Sequence, residues 1–237
     1  MRRTRFYSLI GLAVAALIGA PVLTGGSAMA QVAPTASEAA AYTGLHAAAQ
    51  KGDVAKIEKL AAAKADLNAR DSNGRTPLHV ATFAKQRDAI RALVKAGADI
   101  NLLDKDRYDC VTIASVADDE ETLRVLLTLG ASAELITSRY DGTALIAAAH
   151  LGHDGVVKQL IAAGAPLDHV NNLHWTAAIE SVVLGNGGVR HQETLRALIK
   201  AGANLQLTDR QGNTPLQLAT TRGYAEMVRM LSSSAPR

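Results

Sequence analysis

A short pattern returns along this chain at a nearly constant interval. Its clearest copy is residues 76–81, with the sequence TPLHVA, and each copy places Thr or Asp before small and apolar residues. The copies start at positions 43, 76, 109, 143, 176 and 214, so that successive steps are 33, 33, 34, 33 and 38 residues. A period of this length indicates an array of stacked structural repeats, in which one unit cannot bury its apolar side chains alone.

Two further features keep the same interval. A Gly-Ala pair, which suits the left-handed position that ends a helix, begins at Gly97, Gly130, Gly164 and Gly202. In all six repeats, apolar residues three apart predict the buried stripe of a second helix. These stripes are Ile57/Leu60, Ile90/Leu93, Leu123/Leu126, Val157/Leu160, Leu195/Leu198 and Val228/Leu231.

The two motifs together resemble the ankyrin repeat, and the resemblance covers roughly residues 38–231. It implies an all-α solenoid of about six helix-turn-helix units with hairpin-like turns, which binds another protein through its concave face as a non-catalytic scaffold or adaptor. It also implies that His46 and His79 are structural hydrogen-bonding residues. We predict a leader and the start of an N-terminal cap in residues 31–42, the repeat array in 43–231, and a disordered tail in 232–237.

The first 30 residues have the pattern of a secretory signal peptide. Three arginines at positions 2, 3 and 5 precede an apolar run, and residues 28–30 (AMA) place small side chains before a cleavage site ahead of Gln31. The apolar run is short for a membrane span and contains Pro21. We therefore expect a periplasmic or secreted protein that has no membrane span after cleavage.

The charge distribution argues against non-specific electrostatic binding to nucleic acid. Removing the three N-terminal arginines from the 25 basic residues leaves 22, which equals the number of acidic residues. The lone cysteine, Cys110, excludes an intramolecular disulfide. Because nucleophile-elbow, phosphate-loop and zinc-protease motifs are missing, we expect no enzyme activity and no cofactor. We also expect a monomer.

Aromatic residues concentrate in the predicted turns. By repeat register Tyr108, Tyr140 and Trp175 lie in turns, and Phe83 lies near the end of a first helix. Tyr, Trp and Arg are the residue types that dominate binding hot spots. The candidate protein-binding residues are Arg75, Phe83, Arg107, Tyr108, Arg139, Tyr140, His174, Trp175 and Arg190. Alternatively, each aromatic side chain packs only on its neighbouring repeat.

The fifth repeat carries an insertion of five residues. The extra material falls within residues 185–191, where three glycines predict a flexible loop between the two helices. We expect Arg190 in this loop to contact an anion or a carboxylate of the partner. The alternative is a tolerated surface insertion.

Histidines leave a second class of function open. His169, His174 and His191 lie near the fourth and fifth repeats and favour, as an alternative, a periplasmic accessory protein that binds a metal or small ligand. His150 and His153 are three residues apart, but further ligands at suitable spacing are missing from the sequence around them. We therefore predict no metal site.

Overall fold

The computed structural model describes residues 31–234, so the predicted signal peptide and residues 235–237 lie outside the described part. Within residues 31–234 the chain forms thirteen α-helices and one isolated bridge between Thr137 and Gly142. The predicted all-α repeat fold is confirmed. The helices are α1 (Ala36–Ala41), α2 (Gly44–Lys51), α3 (Val54–Ala62), α4 (Pro77–Phe83), α5 (Arg87–Ala96), α6 (Cys110–Val116), α7 (Glu120–Thr128), α8 (Ala144–Leu151), α9 (Asp154–Ala162), α10 (Ala177–Val183), α11 (Val189–Ala201), α12 (Pro215–Thr221) and α13 (Ala225–Ser233).

The first helix of each repeat begins directly after the Thr or Asp that starts the repeated pattern. In five repeats this side chain accepts a hydrogen bond from the backbone N–H three residues later: Thr76, Asp109, Thr143, Thr176 and Thr214. Thr43 occupies the same position before α2 without making this bond. An oxygen at this position satisfies a backbone N–H that has no partner inside the helix. The repeat period in the sequence is therefore the spacing between the residues that precede the first helix of each repeat.

The helices of residues 43–234 form two layers. The first-helix layer contains α2, α4, α6, α8, α10 and α12, and the second-helix layer contains α3, α5, α7, α9, α11 and α13; within each layer every helix contacts the next. The stripe residues Ile90, Leu123, Leu160 and Leu195 are completely buried between the layers. Each repeat is thus stabilised by its immediate neighbours.

The segment before the first repeat is more ordered than the predicted leader. Thr35 caps α1, because its hydroxyl accepts from the backbone N–H of Glu38 at 3.2 Å and the Glu38 carboxylate accepts from the backbone N–H of Thr35 at 2.8 Å. Glu38 also accepts a hydrogen bond from Asn73 at 2.7 Å. Helix α1 is therefore tied to the turn that precedes the second repeat.

The insertion in the fifth repeat lengthens a helix more than it lengthens a loop. Helix α11 has 13 residues, whereas α5 has 10 and α9 has 9. Residues 184–188 lie between α10 and α11, and residues 189–191 belong to the first turn of α11, so the predicted flexible loop over residues 185–191 is wrong in its last three residues. The last helix also runs to Ser233 instead of ending at Leu231, because the hydroxyl groups of Ser233 and Ser234 both donate to the Met230 carbonyl.

None of the helices of residues 31–234 has both the length and the apolar character that crossing a bilayer requires.

Candidate protein-binding surface

Four successive turns between repeats are joined to one another by backbone hydrogen bonds. We call residues 70–75, 103–108, 136–142, 170–175 and 208–213 the turn row, and we number each turn after the repeat that it precedes, so that these are the second to the sixth turns. Neighbouring turns are linked by the bonds from Lys105 N to Asn73 O (3.0 Å), from Ser138 N to Arg107 O (3.0 Å) and from Asn172 N to Tyr140 O (2.9 Å). Because each linked turn is held by the one before it, the side chains at their tips keep fixed relative positions.

A carboxylate or amide side chain organises most of these turns from within. The Asp104 carboxylate accepts from the backbone N–H groups of Asp106 and Tyr108, both at 2.9 Å, and the Asn171 side chain accepts from Leu173 and Trp175, both at 3.0 Å. The fourth turn differs, because Thr137 stands at this position and its N–H donates to the Gly142 carbonyl at 2.7 Å. The fourth turn therefore contains no such carboxylate.

The predicted aromatic residues differ in how far their side chains are exposed on this surface. Tyr140, at the tip of the fourth turn, is 41% exposed. Tyr108, Trp175 and Phe83 are half-buried, and Phe83 is the last residue of α4. Part of each ring thus packs on the protein and part is accessible, so the role of these side chains in binding stays a prediction.

Two of the predicted cations lie at adjacent tips. Arg107 is exposed, has a left-handed backbone (φ 65°) and donates to the Asp141 carboxylate at 2.7 Å. Arg139 is exposed on the next turn. Together with Lys105 and Asp106, these two arginines line an open hollow of about 300 Å³. His174, at the tip of the fifth turn, is exposed and has φ 63°.

Arg75 does not belong to this surface, which corrects the prediction from the sequence. Its side chain is fully buried, and its guanidinium donates to Asp71 at 2.7 Å and to Glu38 at 2.9 Å. Burial raises the pKa of Asp71, but hydrogen bonds from Tyr42 and Arg75 outweigh this effect and the pKa is lowered. Arg75 therefore joins the N-terminal helix to the second repeat and is inaccessible to a partner.

Arg190 is also placed differently from the prediction, because it lies in helix α11 and its guanidinium is already occupied. Its two terminal nitrogens donate to the Asp118 carboxylate at 2.7 and 3.0 Å, and its Nε donates to Asp154 at 3.3 Å. The hydrogen bond from Arg190 lowers the pKa of Asp118. Arg190 therefore bridges the fifth repeat to the third and fourth repeats, and the prediction that it contacts an external anion is corrected.

The rest of the insertion is packed against both neighbouring repeats. His191 bonds through Nε2 to the His150 carbonyl at 3.0 Å, and a Cβ atom added at Gly152 would meet the His191 ring at 2.9 Å. On the other side the Tyr224 hydroxyl donates to the Gly185 carbonyl at 3.0 Å. The insertion is therefore packed on both sides, and the alternative that it is a tolerated surface insertion stays a prediction.

The histidines act between repeats. His46, His79 and His169 each bond through Nε2 to a backbone carbonyl of the following or preceding turn, at 3.0, 3.1 and 2.6 Å. Among residues 31–234, no three His, Cys, Asp or Glu side chains are grouped so that they could hold a metal ion. In the described part of the chain, the alternative function based on His169, His174 and His191 has no support.

The structure adds surface residues that sequence reasoning missed. Lys105 lines the hollow, and Ile136 and Val170 are 47% and 40% exposed in the fourth and fifth turns. Ile136 and Val170 are each the first residue of their turn, and Leu103 stands at the same position of the third turn. Comparing that position across the repeats would have shown a recurring apolar residue.

These features define a helical repeat protein whose turns form a fixed, mixed basic and apolar surface. A family model described as ankyrin repeats (3 copies) matches residues 30–104 and 110–209, and a second, ankyrin repeats (many copies), matches residues 190–231. The chain belongs to the ankyrin repeat family. Ankyrin repeats generally mediate protein–protein interaction, and ankyrin repeat proteins are generally non-catalytic scaffolds.

Solved structures and a curated protein resemble this chain. An ankyrin repeat domain from Acinetobacter baumannii AYE is 44% identical with a TM-score of 0.76, and the match covers 80% of this chain and 96% of that one. The ankyrin repeat protein EF0377 is 31% identical with a TM-score of 0.74, covering 81% and 98%. YahD of Escherichia coli strain K12, a protein named for its ankyrin repeats, is 37% identical over 95 residues. That match covers 40% of this chain and 47% of YahD, so the chain spans about half the length of this relative.

Proposed function

We propose that this chain is an exported ankyrin repeat protein that binds another protein through the turn row and the adjoining first-helix layer, the concave face of the family. It acts as a monomeric, non-catalytic scaffold or adaptor. The observation that carries the proposal is the set of accessible Arg and aromatic side chains at the tips of turns that are hydrogen-bonded to one another. A surface held in this way loses little conformational entropy when a partner binds.

Alanine substitutions at the turn tips test this proposal. The chain from residue 31 onward is used as bait, and the affinity of a captured protein is then measured for Trp175→Ala and Tyr140→Ala. Each substitution should weaken binding by roughly 1–3 kcal/mol, as expected for anchor residues, and leave the melting temperature nearly unchanged. Arg124→Ala is the matched control, because Arg124 is exposed on α7 in the second-helix layer. Unchanged affinity in both turn variants would contradict the proposal.

Export is supported by the charged start, the apolar run and the small residues before Gln31. The test is expression of the full chain in a bacterium, followed by cell fractionation and intact-mass measurement. We expect the protein in the periplasmic or medium fraction, with a mass that corresponds to a chain beginning at Gln31. A cytoplasmic product that retains residues 1–30 would overturn export without affecting the binding surface.

A further inference from the structure

The third and fourth turns carry positive charge that no carboxylate pairs with directly. Lys105 donates from Nζ to the backbone carbonyl of Ser72 at 2.5 Å, which leaves its charge uncompensated. Within residues 31–234, the Arg139 guanidinium makes neither a hydrogen bond nor an ion pair. Both side chains are exposed, so their charges face solvent.

The hollow between the two turns concentrates these cations. Three of its four lining side chains are Lys105, Arg107 and Arg139, and the fourth is Asp106. Arg107 forms an ion pair with Asp141, and both of these side chains are about half exposed (46% and 49%). Thr137 stands in the fourth turn where Asp104 organises the third turn, so the fourth turn lacks that carboxylate.

Apolar side chains border the same turns. Ile136 is 47% exposed, Tyr140 is 41% exposed and Val170 is 40% exposed. A partner that only supplied charge would leave these groups in water, whereas a segment that also carries apolar side chains would cover them. The surface therefore fits a mixed acidic and apolar ligand better than a uniform polyanion.

We propose that the hollow lined by Lys105, Arg107 and Arg139 binds an acidic segment of the partner protein, with apolar residues of that segment on Ile136 and Tyr140. The inference rests on the proposed function and specifies the chemistry of the partner. Arginine suits this role because its planar guanidinium can pair with a carboxylate through two parallel hydrogen bonds. Such exposed pairs are screened by salt, so binding weakens as ionic strength rises.

Short labelled peptides test the inference by fluorescence anisotropy with the chain from residue 31 onward. The probe alternates Glu with Leu, and two comparison peptides carry Gln or Lys in place of Glu. Arg139→Glu and Lys105→Glu reverse the charges in the hollow. Arg124→Glu makes the same charge change on α7, where the Arg124 side chain is exposed and no ion pair in residues 31–234 includes it.

We expect the Glu peptide to bind about tenfold or more tightly than the Gln peptide, and its affinity to fall between about 20 mM and about 150 mM salt. Arg139→Glu and Lys105→Glu should each lower the affinity for the Glu peptide about tenfold. Arg124→Glu should leave that affinity within about twofold of the unsubstituted chain. Equal binding of the Glu and Gln peptides would overturn the inference. An equal loss in Arg124→Glu would do the same, because the effect would then be one of net charge.

Two outcomes separate this inference from the proposed function. If a single-stranded oligonucleotide of equal charge binds more tightly than the Glu peptide, the hollow is a phosphate site and the acidic-segment inference fails. If the peptides show no dependence on Arg139 while Trp175→Ala still weakens a captured protein, the partner chemistry is wrong but the binding surface stands. Peptide binding that depends on Arg139, with a captured protein whose affinity is unchanged in Trp175→Ala, supports the inference and contradicts the role of Trp175 in the proposed function.

Discussion

His79 donates a hydrogen bond from Nε2 to the carbonyl oxygen of Tyr108 at 3.1 Å, and this bond joins the first helix of the second repeat to the third turn. The other ring nitrogen, Nδ1, accepts from the backbone N–H of Thr76 at 3.1 Å, which assigns the proton to Nε2. An imidazolium ion has no acceptor nitrogen. Protonation of His79 therefore breaks the bond from Thr76 and disturbs the helix start that holds Tyr108 in place.

This arrangement predicts a loss of stability in mild acid. Burial lowers the pKa of His79 to about 4 from an ordinary value of 6.5. Since the unfolded chain binds this proton more readily, the stabilisation is complete above pH 6.5 and is lost as the pH falls toward 4. We expect His79 to account for up to about 3 kcal/mol of the fall in the free energy of unfolding. Denaturant unfolding across this range measures it, and His79→Gln should flatten the profile. An unchanged slope in His79→Gln would assign the effect to other groups.

Arg75 is predicted to be a stability residue. Arg75→Met removes the cation that pairs with both the largely buried Asp71 carboxylate and the Glu38 carboxylate. Loss of one member of a buried ion pair typically costs about 3–5 kcal/mol, and we expect a loss of this order in the free energy of unfolding. Arg91→Met is the control, because Arg91 pairs with Asp88 on the surface of α5. A loss for Arg75→Met as small as that for Arg91→Met would contradict the buried ion pair.

Arg190 and Asp118 are predicted to be coupled across one intervening repeat. A double-mutant cycle of Arg190→Ala and Asp118→Ala should give a coupling energy of about 1 kcal/mol or less at low salt, because the pair is two-pronged but partly exposed. The coupling should shrink as salt screens the charges. Strictly additive losses would show that the bridge contributes nothing to stability. Arg190→Ala should leave partner affinity unchanged, since the guanidinium is occupied within the chain.

The sequence predicted the repeated part of the fold because each unit carries its own helix cap and its own apolar stripe. Thr76 and Asp109, for example, begin α4 and α6 through local hydrogen bonds that need no distant partner. The signal for helix α1 is equally local, because Thr35 followed by Glu38 three residues later is a capping-box pattern within the predicted leader and start of the N-terminal cap. Local signals of this kind can be read from a single sequence.

The accessibility of the arginines could not be read in the same way. Arg75 and Arg107 both lie in turns, but only Arg75 is buried. Its guanidinium pairs with Glu38, which lies 37 residues earlier in the chain, whereas Arg107 is exposed. Arg190 is fixed by Asp118, which is 72 residues away. The repeat register gives the position of such a residue along the stack, whereas its exposure depends on which acidic side chain the packing brings beside it.

Site-specific photo-cross-linking tests the central claim, binding through the turn row, most directly. A photoreactive phenylalanine analogue replaces Tyr140 or Trp175 on the turns, or Arg124 in the second-helix layer, and each variant is irradiated with the captured partner. We predict cross-links to the partner from positions 140 and 175 and none from position 124. Cross-links from position 124 alone would contradict the claim and place the partner on the opposite layer of helices.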